Sequence, residues 1–314
     1  MNTLQTFRVL TFNFERGVYL EEQLEFLTHH PAIGRIDLLL ANELDVGCSR
    51  SGNRDIPALI AARLGLKYVF GLEFTELVGE NNEKGHHGNA VFSRWPILES
   101  RCISLPVQYD WFYDRQKRTG GRQAILARIE VEGKQLGVVC THLENRTTPE
   151  GRWRQLQFLL EEAERCFPGL PVILGGDLNT CGFHGGDKET MSRLVGDESF
   201  AARHLSAPES LEPGLLLAAQ RGFAAVPPLQ APRAYTRRKP VGEGLLALRV
   251  DWLLLRQLDC RDFAVLSTRK EDFPPISGCS RLSCFAAPEL SDHNVVYAQC
   301  RLPCVSKKRR LHRV

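Results

Sequence analysis

The chain comprises 314 residues, 43% hydrophobic and 25% charged, which excludes a disordered or fibrous polymer and allows a core that needs no cross-links. Forty basic against thirty-seven acidic residues leave a formal charge of +3, too weak to mark a nucleic-acid binder by charge alone, yet compatible with a polyanionic substrate. No apolar run approaches the roughly 18 residues of a transmembrane helix, and the start, MNTLQTFRVLTFN, lacks a basic region followed by an apolar stretch, so no cleaved secretory signal is expected.

In chain order, Phe7–Phe12 reads as a strand, Glu21–His29 as a helix, and Ile36–Ala41 as a strand buried on both faces. Ile56–Leu64 is helical and stops at Gly65. Lys67–Phe70, Ala90–Ser93, Ala124–Val131 and Leu136–Thr141 follow as strands, the last two joined by a tight turn at Glu132-Gly133-Lys134. The clearest helix opens at Thr148-Pro149-Glu150, carries Trp153, Leu156, Leu159, Leu160 and Ala163 on one face, and ends at Pro168-Gly169. Pro171–Leu174 is the next buried strand. Residues 182–245 read as a surface excursion with one helical piece, Leu215–Arg221, and too little apolar content for a core of its own. Val250–Leu255 and Asn294–Leu302 close the pattern as strands. One domain over 1–305 is expected, then a basic tail at 306–314 that reads first as a solvated terminus and second as a phosphate-binding arm.

Ten scattered cysteines form no CxxC pair, and the densest patch, Cys279 with Cys284, has no histidine nearby. A zinc site is therefore not expected; the thiols read as reduced and structural, and the location as cytoplasmic.

Polar residues stand where the apolar strands stop. Asn13 follows the first strand and Asn42-Glu43 the second. Thr141-His142 ends another, Gly175-Gly176-Asp177-Leu178-Asn179 follows Leu174, Asp251 opens the strand near Arg249, and Ser291-Asp292-His293 precedes the last. Taken alone, Asp-x-Asn after a strand is ordinarily a turn, and a lone histidine is ordinarily a satisfied half-buried one. Jointly they carry more. Oxygen ligands without thiolates or a histidine cluster suit Mg²⁺ or Mn²⁺, and two separated histidines suit water activation and leaving-group protonation.

Leu10-Thr11-Phe12-Asn13, Asn42-Glu43, Gly88–Arg94, Thr141–Glu144, Gly176–Asn179, Arg249–Trp252 and Ser291-Asp292-His293, in this order, resemble the endonuclease/exonuclease/phosphatase superfamily, the deoxyribonuclease-I-like fold. The resemblance spans about 7–302 and implies an α/β fold, a four-layer α/β sandwich with two mixed β-sheets face to face and helices outside. It implies Glu43 as the main ligand of Mg²⁺ or Mn²⁺, with Asn13 and Asp292 beside it. His293 would be the general base, positioned by Asp251; Asp177 and Asn179 would hold the attacking water and phosphate oxygens, and His142 would serve the leaving side.

The chain departs from the inositol-phosphate 5-phosphatases at Gly175-Gly176 and Arg249-Val250, and from the abasic-site endonucleases at Asn42 and His142. His142 is more similar to deoxyribonuclease I and the neutral sphingomyelinases. Arg152, Arg154 and Gln155 resemble the tyrosyl-DNA phosphodiesterase and deadenylase branches, although a solvated helix face is the preferred reading of them. The loop Asp110–Gly121 interleaves Trp111, Phe112 and Tyr113 with Arg115, Lys117 and Arg118, a composition fit for stacked bases, for a lipid interface, or for aromatics packed beneath the loop. His86 and His87 border the station at Asn89. The expectation is a metal-dependent phosphodiesterase acting on nucleic acid, with a sphingomyelinase-like phospholipid headgroup hydrolase and a non-catalytic binding relic of the fold as its rivals.

Overall fold

The structure, a computed structural model, describes residues 6–77, 84–228, 235–273 and 287–303. The basic tail at 306–314 and the Cys279–Cys284 patch lie outside the described residues.

Two mixed sheets stand face to face. The first orders its seven strands β14-β15-β1-β2-β4-β3-β6. These are β1 (Thr6–Arg16), β2 (Leu38–Val46), β3 (Lys67–Glu76), β4 (His86–Ser93), β6 (Arg118–Gly120), β14 (Asp259–Leu266) and β15 (Val295–Arg301). The second orders six as β10-β13-β9-β8-β7-β5, with β5 (Ile97–Ser104), β7 (Gln123–Val131), β8 (Lys134–His142), β9 (Val172–Asp177), β10 (Phe223–Val226) and β13 (Asp251–Arg256). One neighbouring pair in each sheet is parallel, β1 with β2 and β8 with β9.

Strict alternation along each central strand divides the apolar residues among three cores. Val9, Leu38, Leu40, Val138, Cys140, Ile173, Leu253 and Val296 meet between the sheets. The residues one step along (Leu10, Leu39, Val295) face outward onto α1 (Leu20–His29) and α2 (Ile56–Leu64). On the other side, Val139, Leu174 and Leu254 face α3 (Pro149–Cys166) and α6 (Pro213–Gln220). Both faces of both sheets are thus covered, giving the four-layer α/β sandwich and explaining the unbroken apolar runs.

Local signals set several boundaries. Asp55 caps α2 by accepting from Ala58 N–H, and Gly65 ends it in the left-handed region. Between β7 and β8, Glu132 and Gly133 both take positive φ (51° and 77°), as a two-residue mirror-image hairpin turn requires.

The 182–245 segment corrects the sequence expectation. It contains α4 (Lys188–Leu194), α5 (Glu198–Ser206), α6, β10 and the hairpin of β11 (Arg237–Val241) and β12 (Gly244–Leu248). It also contributes to a small core, in which Phe183, Met191 and Phe200 pack with Cys181, Leu246 and Val250 from the flanking chain. The segment looked apolar-poor because its few large side chains are far apart in sequence and converge only in space. Among the described residues no helix is long and apolar enough to cross a membrane, and the seven described cysteines are free thiols.

Candidate active site

The alternation that builds the core also aims the polar stations. Asn42 continues the face of Leu38 and Leu40, His142 that of Val138 and Cys140, Asp177 that of Ile173, and Asp251 that of Leu253 and Leu255. All four therefore enter the crevice between the sheets. Register brings them to one rim: His142 pairs with Asp177, Asp177 with Asp251, and Asn13 with Asn42.

Glu43 is one residue out of phase and would otherwise face the helices. β2 is irregular between Ala41 and Leu44, and Glu43 adopts φ 54°, turning its carboxylate to meet Asn13. A bulge that re-aims a side chain is common beside active sites.

Asp177 lies at the centre. Its Oδ2 is 3.3 Å from His142 Nε2, 3.6 Å from His293 Nε2 and 3.2 Å from Asn13 Nδ2, whose amide also donates to Glu43 Oε1 at 3.2 Å. His293 Nδ1 is held by Asp251 Oδ2 at 2.8 Å, while its Nε2 is buried without a hydrogen-bond partner and lies 3.6 Å from Asp292 Oδ1. Asn179 donates its backbone N–H to Asp177 Oδ1 and its amide to Leu143 O, both at 2.9 Å. The turn carrying Asp292 and His293 is tied down by Ser291, whose hydroxyl donates to Asn13 O at 2.8 Å and accepts from His293 N at 3.1 Å.

The electrostatics favour charged Glu43 and Asp177 carboxylates facing a protonated His293. Burial alone would raise Glu43, but His142, His87 and Arg16 hold it well below the usual carboxylate range. Asp177 is also depressed: the two histidines outweigh its burial. Burial disfavours the His293 cation, yet Asp251, Asp292 and Asp177 outweigh it and push its pKa up to about 10. Asp251 itself is raised, by burial first and by Asp177 as well, although His293 opposes this. The direction for the pair is a proton retained on the imidazole, because three carboxylates face that ring.

The donor set fits a hard divalent cation. Glu43, Asp177 and Asp292 supply carboxylate oxygens around one rim, two of them held anionic or free of a competing proton at neutral pH. Asn13 turns its amide N–H toward the Glu43 and Asp177 carboxylates. Its Oδ1 accepts from Glu15 N at 3.0 Å, so it presents N–H to the carboxylates and would ligate only after turning its amide over. Asp177, Asp251 and His293 also each offer an atom within 4.8 Å of the others. With the imidazole hydrogen-bonded to Asp251, this trio has the form of an oriented base rather than of an oxygen cage for Mg²⁺.

The structure gives several residues parts that the sequence reading did not assign to them. Asn42 ties the two sheets together: its Nδ2 donates to Asn89 Oδ1 and Thr141 O, both at 2.9 Å, and its Oδ1 accepts from Asp177 N at 2.8 Å. Arg237 grips Asp292 Oδ2 through Nε at 2.9 Å and Nη2 at 2.6 Å, and lies across a β-bridge from His293. Asn42 and Asn89 were visible beside Glu43 and Gly88; Arg237 had no sequence signal at all. His87 is buried and bonded to Asp45 at 2.8 Å, whereas His86 is exposed. Arg152 and Gln155 are buried rather than solvated: Arg152 pairs with Glu212, and Gln155 accepts from Glu144 N. Of the loop aromatics only Trp111 is buried, donating to Glu144 Oε2 at 2.8 Å, while Phe112 and Tyr113 are exposed.

Residues 10–293 match the model of the Endonuclease/Exonuclease/phosphatase family. The chain belongs to this family. Members of the family are hydrolases that act on phosphoester bonds. Among curated proteins the chain is similar to the uncharacterized protein YbhP of Escherichia coli K12, 36% identical over 100 residues, or 31% of this chain and 34% of that one. It thus spans about a third of the length of the curated relatives it matches. Among solved structures it resembles an endonuclease/exonuclease/phosphatase from Beutenbergia cavernae (17% identity, TM-score 0.58, 95% of this chain and 72% of that chain). It also resembles the human Nocturnin catalytic domain solved with bound sulfate (20%, 0.56, 95% of each). A third likeness is D. rerio TDP2 in complex with a single-strand DNA product (14%, 0.54, 95% and 99%). At these identities the solved structures establish the shared family fold.

Proposed function

We propose that this family member is a divalent-metal-dependent phosphodiesterase whose substrate is nucleic acid. The observation that carries the reading is the convergence on Asp177 of His142, His293 and Asn13, with His293 oriented by Asp251. Mg²⁺ or Mn²⁺, held by Glu43 and Asp292 with Asp177 alongside, would neutralise charge on the phosphate oxygens.

The protein's own groups supply the rest. Asp251 accepts from His293 Nδ1–H, which orients the ring and leaves Nε2 facing the crevice; that nitrogen, protonated in the metal-free protein, would take a proton from water once the charge of the bound cation has displaced its own. Asp177 accepts from Asn179 N, Asn13 Nδ2 and His142, so its carboxylate is immobile and can orient that water. His142 Nε2, beside Asp177 on the neighbouring strand, would donate to the departing oxygen on turning from that carboxylate. Asn179 commits one amide proton to Leu143 O and keeps a second for a phosphate oxygen. Nucleic acid is favoured by the basic bias and by exposed Arg115 and Lys117 beside exposed Phe112 and Tyr113. The same exposed aromatics support the phospholipid reading, which stays as the second one.

The test offers plasmid DNA, RNA, bis-p-nitrophenyl phosphate and sphingomyelin vesicles to the protein in Mg²⁺ with and without EDTA. Cleavage of DNA or RNA, abolished by EDTA and by Glu43→Gln or His293→Ala, is the expected result. Hydrolysis of sphingomyelin alone overturns the nucleic-acid assignment, and inertness toward all four with millimolar Mg²⁺ bound favours the non-catalytic relic.

A further inference from the structure

Beyond the catalytic rim, β11 begins with Arg237, already occupied by Asp292, and places Lys239 two residues on, on the same side of the strand. Lys239 forms no ion pair with a carboxylate among the described residues; its Nζ reaches only Gly185 O, at a long 3.5 Å. Gly185 belongs to the His184–Gly186 turn, which lies directly on the chain leaving His142. A Cβ on Gly185 would sit 2.4 Å from Asn145 O, and one on Gly186 2.8 Å from Arg146 Nη1. Only glycine allows that approach, and it brings the guanidinium of Arg146 to the same turn that receives Lys239.

Arg146 is also incompletely satisfied. Its Nε is buried with no hydrogen-bond partner, its carboxylate neighbour Asp114 stands 3.5 Å away, and its guanidinium lies 5.8 Å from the Trp111 ring. Burial, and then the charges of Arg237 and Arg146, hold Lys239 below its ordinary pKa, with distant Asp292 only partly offsetting them. Two half-buried cations thus repel each other across one glycine turn, and the carboxylate near them, Asp114, stands 3.5 Å from Arg146 and already accepts from the Tyr109 hydroxyl.

We propose that Lys239 and Arg146, set around the His184–Gly186 turn, form a subsite for a second phosphate, and that the substrate carries this anion next to the phosphodiester that is cleaved. The inference rests on the phosphodiesterase reading and narrows its substrate class. A neighbouring phosphate of a nucleic-acid strand, or a terminal phosphate on a short diester, meets complementary charge there. A choline headgroup brings a quaternary ammonium to the same cations and is repelled.

The test compares kcat/KM for thymidine dinucleotides with and without a terminal phosphate, using the full chain and its Lys239→Gln and Arg146→Gln variants, each checked for a native thermal transition. One charge-assisted phosphate contact predicts a wild-type preference of roughly tenfold or more for the phosphorylated dinucleotide, falling toward unity in both variants. A preference that persists unchanged in both variants, or a faster rate on sphingomyelin vesicles than on either nucleotide, overturns the subsite. If the wild type cleaves none of these, the phosphodiesterase reading fails by itself, and calorimetric titration of inorganic pyrophosphate into the metal-free protein judges the subsite separately. Binding weakened at least roughly fivefold by either substitution supports it, and equal or absent binding overturns it.

Discussion

Replacing Asn42 with alanine tests whether one buried amide locks the two sheets and the catalytic aspartate together. The Asn42 side chain is wholly buried and makes hydrogen bonds to Asn89 Oδ1, Thr141 O and Asp177 N, reaching β4, β8 and β9 from β2. Truncation removes the amide and leaves these groups unpaired in a dry crevice. A buried polar group left unsatisfied costs about 1–3 kcal/mol, and partial relaxation of three neighbouring groups brings the total to roughly 3–5 kcal/mol. For a chain of this size, each kcal/mol lowers Tm by about 2–4 °C at most, so Asn42→Ala should melt up to roughly 6–20 °C below the wild type. Because Asp177 N loses its acceptor, turnover should fall by at least about tenfold even well below the new Tm. Differential scanning calorimetry with activity at 15 °C gives both numbers. A transition within 2 °C of wild type, with full activity, would refute the claim that Asn42 bridges the sheets.

The raised pKa of His293 has a definite sign. Its ordinary value is near 6.5 and its folded value about 10, so its contribution to stability is complete below the unfolded value and disappears as pH rises through the folded one. NMR titration of the metal-free protein should therefore show this ring protonated at pH 7, and Asp251→Asn should lower its midpoint; a ring that is neutral at pH 7 contradicts the arrangement. The Arg152–Glu212 pair is buried within the α3 contact with the 182–212 segment, so Glu212→Ala leaves an uncompensated guanidinium. That substitution should cost about 3–5 kcal/mol in urea unfolding, and a loss below about 1 kcal/mol would show that the pair is not desolvated. Gly176 has φ +137° and its Cβ position lies 1.8 Å from Thr141 O, so Gly176→Ala should part β8 from β9 and displace Asp177. Soluble, fully active Gly176→Ala protein with the wild-type Tm would disprove that close approach.

Much of the frame was legible because burial imposes a pattern on contiguous residues. Leu38-Leu39-Leu40 and Trp252–Leu255 read as strands since each successive side chain faces one of two cores. The end of α2 was legible from Gly65, whose chemistry acts within a few residues. β5 and β14 were not. They are edge strands with mostly exposed side chains, so neither period nor composition separates them from loop. The exposure of Phe112 and Tyr113 beside buried Trp111 was equally invisible, because it depends on where Glu144 and Arg118 sit.

The site divides along the same line. Sequence alone determined which polar groups stand at the strand ends, Asn13, His142, Asp177 and Asp251 among them, since strand ends are local properties. Only the tertiary structure decided the direction of Glu43, the donor role of Asn13, the bridging by Asn42 and the arrival of Arg237 at Asp292. Each of these depends on register between strands distant in the chain or on a bulge in one of them. Such choices belong to the packing of the two sheets, and no stretch of residues encodes them by itself.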